Sequence, residues 1–276
     1  MIQSFPSRIV LELTPLCNLA CFMCPRHYIG DKDGFMEEGL FKKLIDEVVV
    51  ENPKATILPF WRGESCLHKK FSILLQYAID KGLKIHLSTN GHFMSKENCK
   101  IFYQCEFITF SIHTDIGYKN ALSLIENKPK NCQTTFQISF VDTEKTTNKY
   151  LDECASSSIL LGFDSIRLYK QHTIGGEFGK TQKERGKKRH FCPKLVHTFV
   201  VSSDGYFSRC NHIWETCREI NLNEASIKEV WHSEVMKKIR EEYPDSKCFP
   251  CDQWSGHTCG EVWNKKNGQI VHKIFN

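Results

Sequence analysis

The feature that most constrains the fold is an alternation of apolar, β-branched runs with amphipathic stretches at helical spacing, repeated along the first two thirds of the chain. The strand-like runs are Arg8–Thr14, Ala55–Trp61, Leu83–Thr89, Glu106–Ile112, Thr134–Val141 and Ser165–Leu168. Between them the spacing predicts helices over Glu37–Val49, Lys70–Lys81, Lys96–Gln104, Tyr118–Asn127 and Asn148–Leu160. Repeated β-α units build a parallel sheet covered by helices, because each crossover helix must bury its apolar stripe against the sheet. Six units are too few for the closed eight-fold barrel. The expected class is therefore α/β, a partial (β/α)6 parallel barrel, with ligand chemistry at the C-terminal ends of its strands.

The alternation stops near Gly175. Residues 175–190 (GGEFGKTQKERGKKRH) are glycine-rich and basic, which suits a solvated linker or a phosphate-contacting loop. Beyond them, His197–Ser202 and Tyr206–Arg209 form a predicted hairpin through Ser203-Asp204-Gly205, and Ile227–Tyr243 reads as one helix. The expected division is a barrel core over 1–175, a basic linker over 176–190, and a small cysteine-rich α+β module over 191–276.

A chain of 276 residues can bury a sizeable core without covalent staples. Its 41% hydrophobic and 25% charged content excludes a disordered, collagenous or membrane-embedded chain. The N-terminus lacks a basic region followed by an apolar run, and no stretch approaches a membrane-spanning length, so a cytoplasmic location away from membranes is expected. The net charge of +5 is compatible with an anionic small-molecule substrate and gives no indication of nucleic-acid binding.

Against that ordinary background stand 14 cysteines. In a reducing compartment, cysteines at short spacings read as metal or catalytic ligands before they read as disulfides. Cys17, Cys21 and Cys24 form C-x3-C-x2-C, beginning three residues past the first strand. Thiolates favour zinc or iron–sulfur centres. A closed zinc site needs four protein ligands, and His27 is the nearest candidate for a fourth. Three cysteines on a four-iron cluster leave one iron open to a cofactor or substrate. Cys192 and Cys210 bracket the hairpin, and Cys248 and Cys251 form C-x2-C after the last helix. Four thiolates suit a fully ligated site, of zinc as well as of iron and sulfur. Cys217 and Cys259 are spare, while Cys66, Cys99, Cys105, Cys132 and Cys154 read as small buried hydrophobes.

At the first cysteine group the chain resembles the radical S-adenosylmethionine superfamily, whose signature is this spacing after the first barrel strand. Trp61-Arg62-Gly63-Glu64-Ser65 stands where that family has Gly-Gly-Glu-Pro. Ser88-Thr89-Asn90-Gly91 matches its Ser-Thr-Asn-Gly element, and Ser111-Ile112-His113 stands where relatives often read Ser-Ile-Asp. The resemblance covers about residues 8–170. It implies a catalytic 4Fe-4S cluster on Cys17, Cys21 and Cys24, and S-adenosylmethionine contacted by Met23, Gly63, Glu64, Ser88, Asn90 and His113. Met23 departs from the usual aromatic before the third cysteine; Arg62 and Ser65 replace the first Gly and the Pro of the second element. Read without the resemblance, Glu64 is a strand-end carboxylate, Asn90-Gly91 a turn and His113 a satisfied barrel histidine. The second cysteine group resembles the auxiliary-cluster modules called SPASM and twitch. A full SPASM module needs seven auxiliary cysteines, so a single auxiliary 4Fe-4S cluster on Cys192, Cys210, Cys248 and Cys251 is the better fit.

The resemblance implies reductive cleavage of S-adenosylmethionine to a 5'-deoxyadenosyl radical, which removes a hydrogen atom from substrate. An external donor such as flavodoxin or ferredoxin supplies the electron. The expected net reaction is a two-electron oxidation of a sugar, aminocyclitol or nucleotide-sugar, with the auxiliary cluster accepting an electron. Arg167, Lys170 and His172, at the end of the sixth strand, are the candidates for the base. One alternative is modification of a ribosomally made peptide. Another, from a different class, is a non-catalytic zinc-binding adaptor.

Overall fold

The computed structural model describes residues 2–28, 33–142, 161–170, 191–246, 248, 251, 260–266 and 269–275. The readings placed on the helix over 148–160, the basic stretch 176–190, His172, Cys154 and Cys259 lie outside the described residues. The chain groups into two compact units, each drawing on separated stretches of sequence. The first comprises Met1–Ala20, Cys24–Ile85 and His172–His257; the second comprises Cys21–Met23, His86–Gln171 and Thr258–Asn276.

In the first unit, β1 (Arg8–Leu11) lies parallel to β2 (Thr56–Leu58), with Ile9 opposite Ile57. Between them runs α1 (Glu38–Glu51), which buries Leu40, Phe41, Leu44, Ile45 and Val48 at the i, i+3, i+4 spacing of one helical face. After β2 comes α2 (Phe71–Asp80), and the unit takes in the first two residues of β3 (Lys84–Thr89), paired with Thr56 and Ile57. On its other edge β1 pairs in parallel with β7 (Thr198–Val201), Ile9 facing Phe199. The short helix α5 (Lys194–His197) leads into β7, which turns antiparallel into β8 (Tyr206–Ser208), and β8 pairs with β9 (Cys217–Asn221). The predicted hairpin is therefore present and continues the parallel strands, while β9 carries too little apolar patterning to show in the sequence.

The helix predicted over 227–243 is two helices, α6 (Ile227–Trp231) and α7 (Glu234–Glu241). Ser233 causes the break: its hydroxyl donates to the Val230 carbonyl at 2.8 Å and accepts from the Met236 N–H at 3.3 Å. A hydroxyl that closes one helix and caps the next competes with the continuous ladder. Lys43 and Glu47 of α1 hold this region from beneath. The Lys43 ammonium donates to the carbonyls of Leu222, Asn223 and Ala225 at 2.7–3.0 Å. The Glu47 carboxylate accepts the Ile227 and Lys228 N–H groups, both at 2.8 Å, so it caps α6. Trp231 is fully buried, with Phe199 against its ring edge-on.

The second unit continues the parallel order. β3 pairs with β4 (Phe107–Ser111), β4 with β5 (Thr135–Asp142), and β5 with β6 (Ser165–Lys170). α3 (Lys96–Phe102) and α4 (Asp115–Glu126) are the crossovers. α4 starts three residues before the expected Tyr118, because the Thr114 hydroxyl accepts the Gly117 N–H at 3.1 Å and sets the cap. Phe110 centres the core, with Phe102 and Phe163 edge-on and Phe136 stacked. Two further strands were not expected from the sequence: β10 (Gly260–Lys266) pairs antiparallel with β6, and β11 (Gln269–Phe275) with β10. All six strands that the alternation predicts are present, and each pairs in parallel with its neighbour in the predicted order.

Candidate functional site

The loop that leaves β1 carries Cys17 and Cys24, and its shape is set by backbone contacts inside the first unit. The Thr14 hydroxyl donates to the Gly34 carbonyl at 2.6 Å and accepts the Leu16 N–H at 3.1 Å. The Arg26 guanidinium donates to the Pro15 carbonyl at 2.7 Å. The Cys17 sulfur accepts the Leu19 N–H at 3.5 Å. Cys17, Cys21 and Cys24 are all half-buried thiols. Burial pushes the Cys24 thiol up, and the negative charge that Cys17 gains on ionisation pushes it further.

The element after β2 backs this loop. The Glu64 N–H donates to the Leu16 carbonyl at 2.7 Å. At Gly63 a Cβ would stand 2.3 Å from the Thr14 carbonyl oxygen and 2.4 Å from that of Leu16. Only glycine fits so close an approach of two backbones. Glu64 is 3% exposed, and its carboxylate accepts the Cys66 N–H at 3.1 Å. Arg62, which departs from the family's glycine, is 6% exposed and bidentate to the fully buried Glu12, with both contacts at 2.7 Å. It also donates to the Trp214 carbonyl at 3.3 Å, and the Ser203 N–H donates to Glu12 at 3.2 Å. Trp61 stacks on the guanidinium at 4.3 Å and donates its indole N–H to the Asn211 carbonyl at 3.0 Å. Sequence reasoning marked Arg62 only as a departure, named Trp61 in the same element without a role, and passed over Glu12. A glutamate inside the apolar run RIVLELT was the available signal.

In the second unit, Met23 is half-buried and the strand ends present hydroxyls. The Ser88, Ser111 and Ser139 oxygens form a row at 3.2 and 3.3 Å across β3, β4 and β5. Asn90 is buried and turns on itself, its carboxamide oxygen accepting the His92 N–H at 3.1 Å. Gly91 has φ +78, and its carbonyl accepts from the Asn120 amide at 2.9 Å. Burial holds the His113 imidazole below its ordinary pKa, which keeps the ring neutral. Arg167 lies over the Tyr169 ring at 4.9 Å.

The second cysteine group converges. Cys192, Cys210, Cys248 and Cys251 line one cavity, together with Lys194, Leu195, His212, Ile213 and Tyr243. Burial raises the Cys192 and Cys210 thiols, and it pushes Cys248 up to about 12, with the Asp245 carboxylate adding to the shift. Two of these thiols are buried and two half-buried; they become thiolates more readily beside a cationic centre, so metal binding there would be coupled to proton release. Among the described residues no three His, Cys, Asp or Glu side chains close on a single metal ion. Four thiols lining one cavity are the soft donors that suit a thiolate-bound centre. Of the remaining cysteines, Cys66 and Cys105 are buried as expected, and Cys105 is pushed up to about 12 by that burial. Cys99, Cys132 and Cys217 are half-exposed.

Residues 192–253 match the SPASM family, described as an iron-sulfur cluster-binding domain. The matched stretch contains all four cysteines of the second group. The chain is 32% identical over 87 residues to an S-adenosylmethionine-dependent nucleotide dehydratase of Selenomonas ruminantium, a stretch covering 32% of this chain and 31% of that protein. The chain spans less than a third of the length of the curated relatives it matches. Its fold is that of BtrN in complex with AdoMet and 2-DOIA, with a TM-score of 0.62 at 16% identity over 88% of each chain. It is also that of Streptococcus suis SuiB bound to precursor peptide SuiA, with a TM-score of 0.67 at 16% identity over 92% of this chain and 71% of that one. No helix among the described residues is long and apolar enough to cross a membrane.

Proposed function

We propose that this chain, which has the fold of the radical S-adenosylmethionine enzymes and carries a SPASM iron–sulfur domain, is a cytoplasmic enzyme of that superfamily. It performs a net two-electron oxidation of a sugar, aminocyclitol or nucleotide-sugar. The observation that carries the reading is the contrast between its two cysteine groups. Three cysteines share the loop after β1, and four line one cavity in the SPASM stretch. Three ligands leave an open iron for a cofactor; four close the cluster and suit it to electron transfer. Bound there, the open cluster and S-adenosylmethionine supply hydrogen-atom abstraction from an unactivated carbon, and the protein's task is to orient and enclose them.

Gly63 and Glu64 approach the backbone of the cysteine loop at Leu16, which supports a role for the Glu64 carboxylate as a contact for the methionine ammonium. Met23, Ser88, Asn90 and His113 are the further cofactor contacts in this reading. Of the base candidates, Arg167 serves as a fixed cation, because a guanidinium does not give up its proton at neutral pH. Lys170 and His172 keep the proposed role. Flavodoxin or ferredoxin is the proposed electron donor. The relative named for a nucleotide substrate supports a nucleotide-linked sugar. The fold shared with a protein bound to its precursor peptide favours a second reading, modification of a peptide.

The test is anaerobic reconstitution followed by reduction in the presence of S-adenosylmethionine. About eight irons per chain and release of 5'-deoxyadenosine are expected. Zinc in place of iron, with no 5'-deoxyadenosine, refutes the reading and leaves the zinc-binding adaptor.

A further inference from the structure

The cavity shared by the four SPASM cysteines also contains a cation that is paired with no carboxylate among the described residues. Lys194 lines it, on the turn that follows Cys192. Its ammonium sits 2.8 Å from His212 Nε2 and donates to the Asn211 carboxamide oxygen at 3.4 Å. An ammonium only donates, so the imidazole nitrogen facing it is a lone pair and this face of the histidine is neutral. Among the described residues Lys194 has no carboxylate partner. Arg209 differs: its charge also acts on Cys210 and Cys248, but the side chain is paired with Asp245. Lys194 lines the same cavity as Cys192 and Cys210, so its charge stands at the wall those sulfurs share.

Resting on the reading of this cavity as a cluster site, we propose that Lys194 is a positioning residue for electron transfer. Held in place by His212 and Asn211, its ammonium stabilises the more negative, reduced state of the auxiliary cluster. The physical basis is electrostatic. A reduced cluster carries one more negative charge than an oxidised one, and a fixed cation at the cavity wall lowers the energy of that state. Half-burial weakens the screening of this interaction by salt. The device makes the cluster a better electron acceptor, the direction that the proposed oxidation needs. The lysine supplies no ligand and no proton.

The experiment is an anaerobic redox titration, read by electron paramagnetic resonance, of the full chain with Cys17, Cys21 and Cys24 all changed to alanine, so that only the auxiliary cluster reports. Lys194→Gln is expected to keep about four irons per chain, the count of one four-iron cluster. At a fixed poise its ratio of oxidised to reduced cluster should rise about tenfold, which for a one-electron couple is a shift of about 59 mV to more negative potential. Lys194→Arg, which keeps the charge, is expected to retain the parental potential. A glutamine variant with its iron and an unchanged potential overturns the proposal. So does a glutamine variant that binds no iron, because the lysine would then be part of assembly. An arginine variant shifted as far as the glutamine variant overturns it too. If the triple-alanine parent itself holds no iron, the auxiliary-cluster reading fails before Lys194 is tested.

Discussion

The buried pair of Arg62 and Glu12 makes the sharpest prediction about stability. Arg62→Met removes two contacts of 2.7 Å from a carboxylate that is 0% exposed, and among the described residues it leaves that carboxylate a single N–H donor, from Ser203. Removing one partner of a buried ion pair costs roughly 3–5 kcal/mol, because the remaining charge has lost both water and counter-charge. At this chain length each kcal/mol lowers Tm by about 2 °C, so the variant should melt roughly 6–10 °C below the parent. The double variant Glu12→Gln/Arg62→Met leaves no charge stranded and should recover about half of the loss or more. Urea and thermal unfolding of the metal-free chain, taken as a double-mutant cycle, measure both quantities. A single variant within about 1 kcal/mol of the parent would refute the reasoning. A double variant no more stable than Arg62→Met would do the same.

Two further outcomes follow from the site geometry. Gly63→Ala places a Cβ 2.3–2.6 Å from backbone atoms of Thr14, Pro15 and Leu16, so the loop before Cys17 must move. Iron content should fall from about eight toward about four per chain, with loss of 5'-deoxyadenosine formation; full iron with the parental rate would contradict it. For the pH dependence, the sign follows from Cys248, whose thiol is raised to about 12 from 9.0. A raised thiol pKa means less thiolate at neutral pH, so iodoacetamide should modify Cys248 in the metal-free chain about a thousandfold more slowly at pH 8 than an unperturbed cysteine. The rate should climb about tenfold per pH unit up to about pH 11, and peptide mass spectrometry that finds a plateau near pH 9 would show the burial argument to be wrong.

What the sequence made legible were the features with local causes. The six parallel strands showed because each buried run is continuous and apolar, and the two cysteine groups because their spacings are short. α4 began early and the helix over 227–243 split because Thr114 and Ser233 act through their own hydroxyls, a one-residue effect that apolar periodicity does not register. β9 and β10 were missed for a different reason. The residues Cys217–Asn221 and Gly260–Lys266 are polar, and they are strands because a partner strand offers its hydrogen-bonding edge. Convergence of Cys192, Cys210, Cys248 and Cys251 was inferable as a count of ligands. That Lys194 and His212 share their cavity was not, since neither stands at a recognisable spacing.

The substitution of arginine for the family's first glycine has a consistent physical account. Gly63 and Glu64 press on the backbone before Cys17, while Trp61 and Arg62 bind the carbonyls of Asn211 and Trp214, which flank Cys210 on its C-terminal side. Four consecutive residues therefore seat the loop of the first cysteine group and the segment beside Cys210. The seat depends on charge: the guanidinium can be buried there only because Glu12 is, and Glu12 can end an apolar strand only because the guanidinium reaches it. A glycine at position 62 in this chain would strand Glu12 and release Trp214 together. The arginine and the glutamate are thus one feature of the fold, and a relative with glycine at that place is expected to have an apolar or neutral residue in place of Glu12.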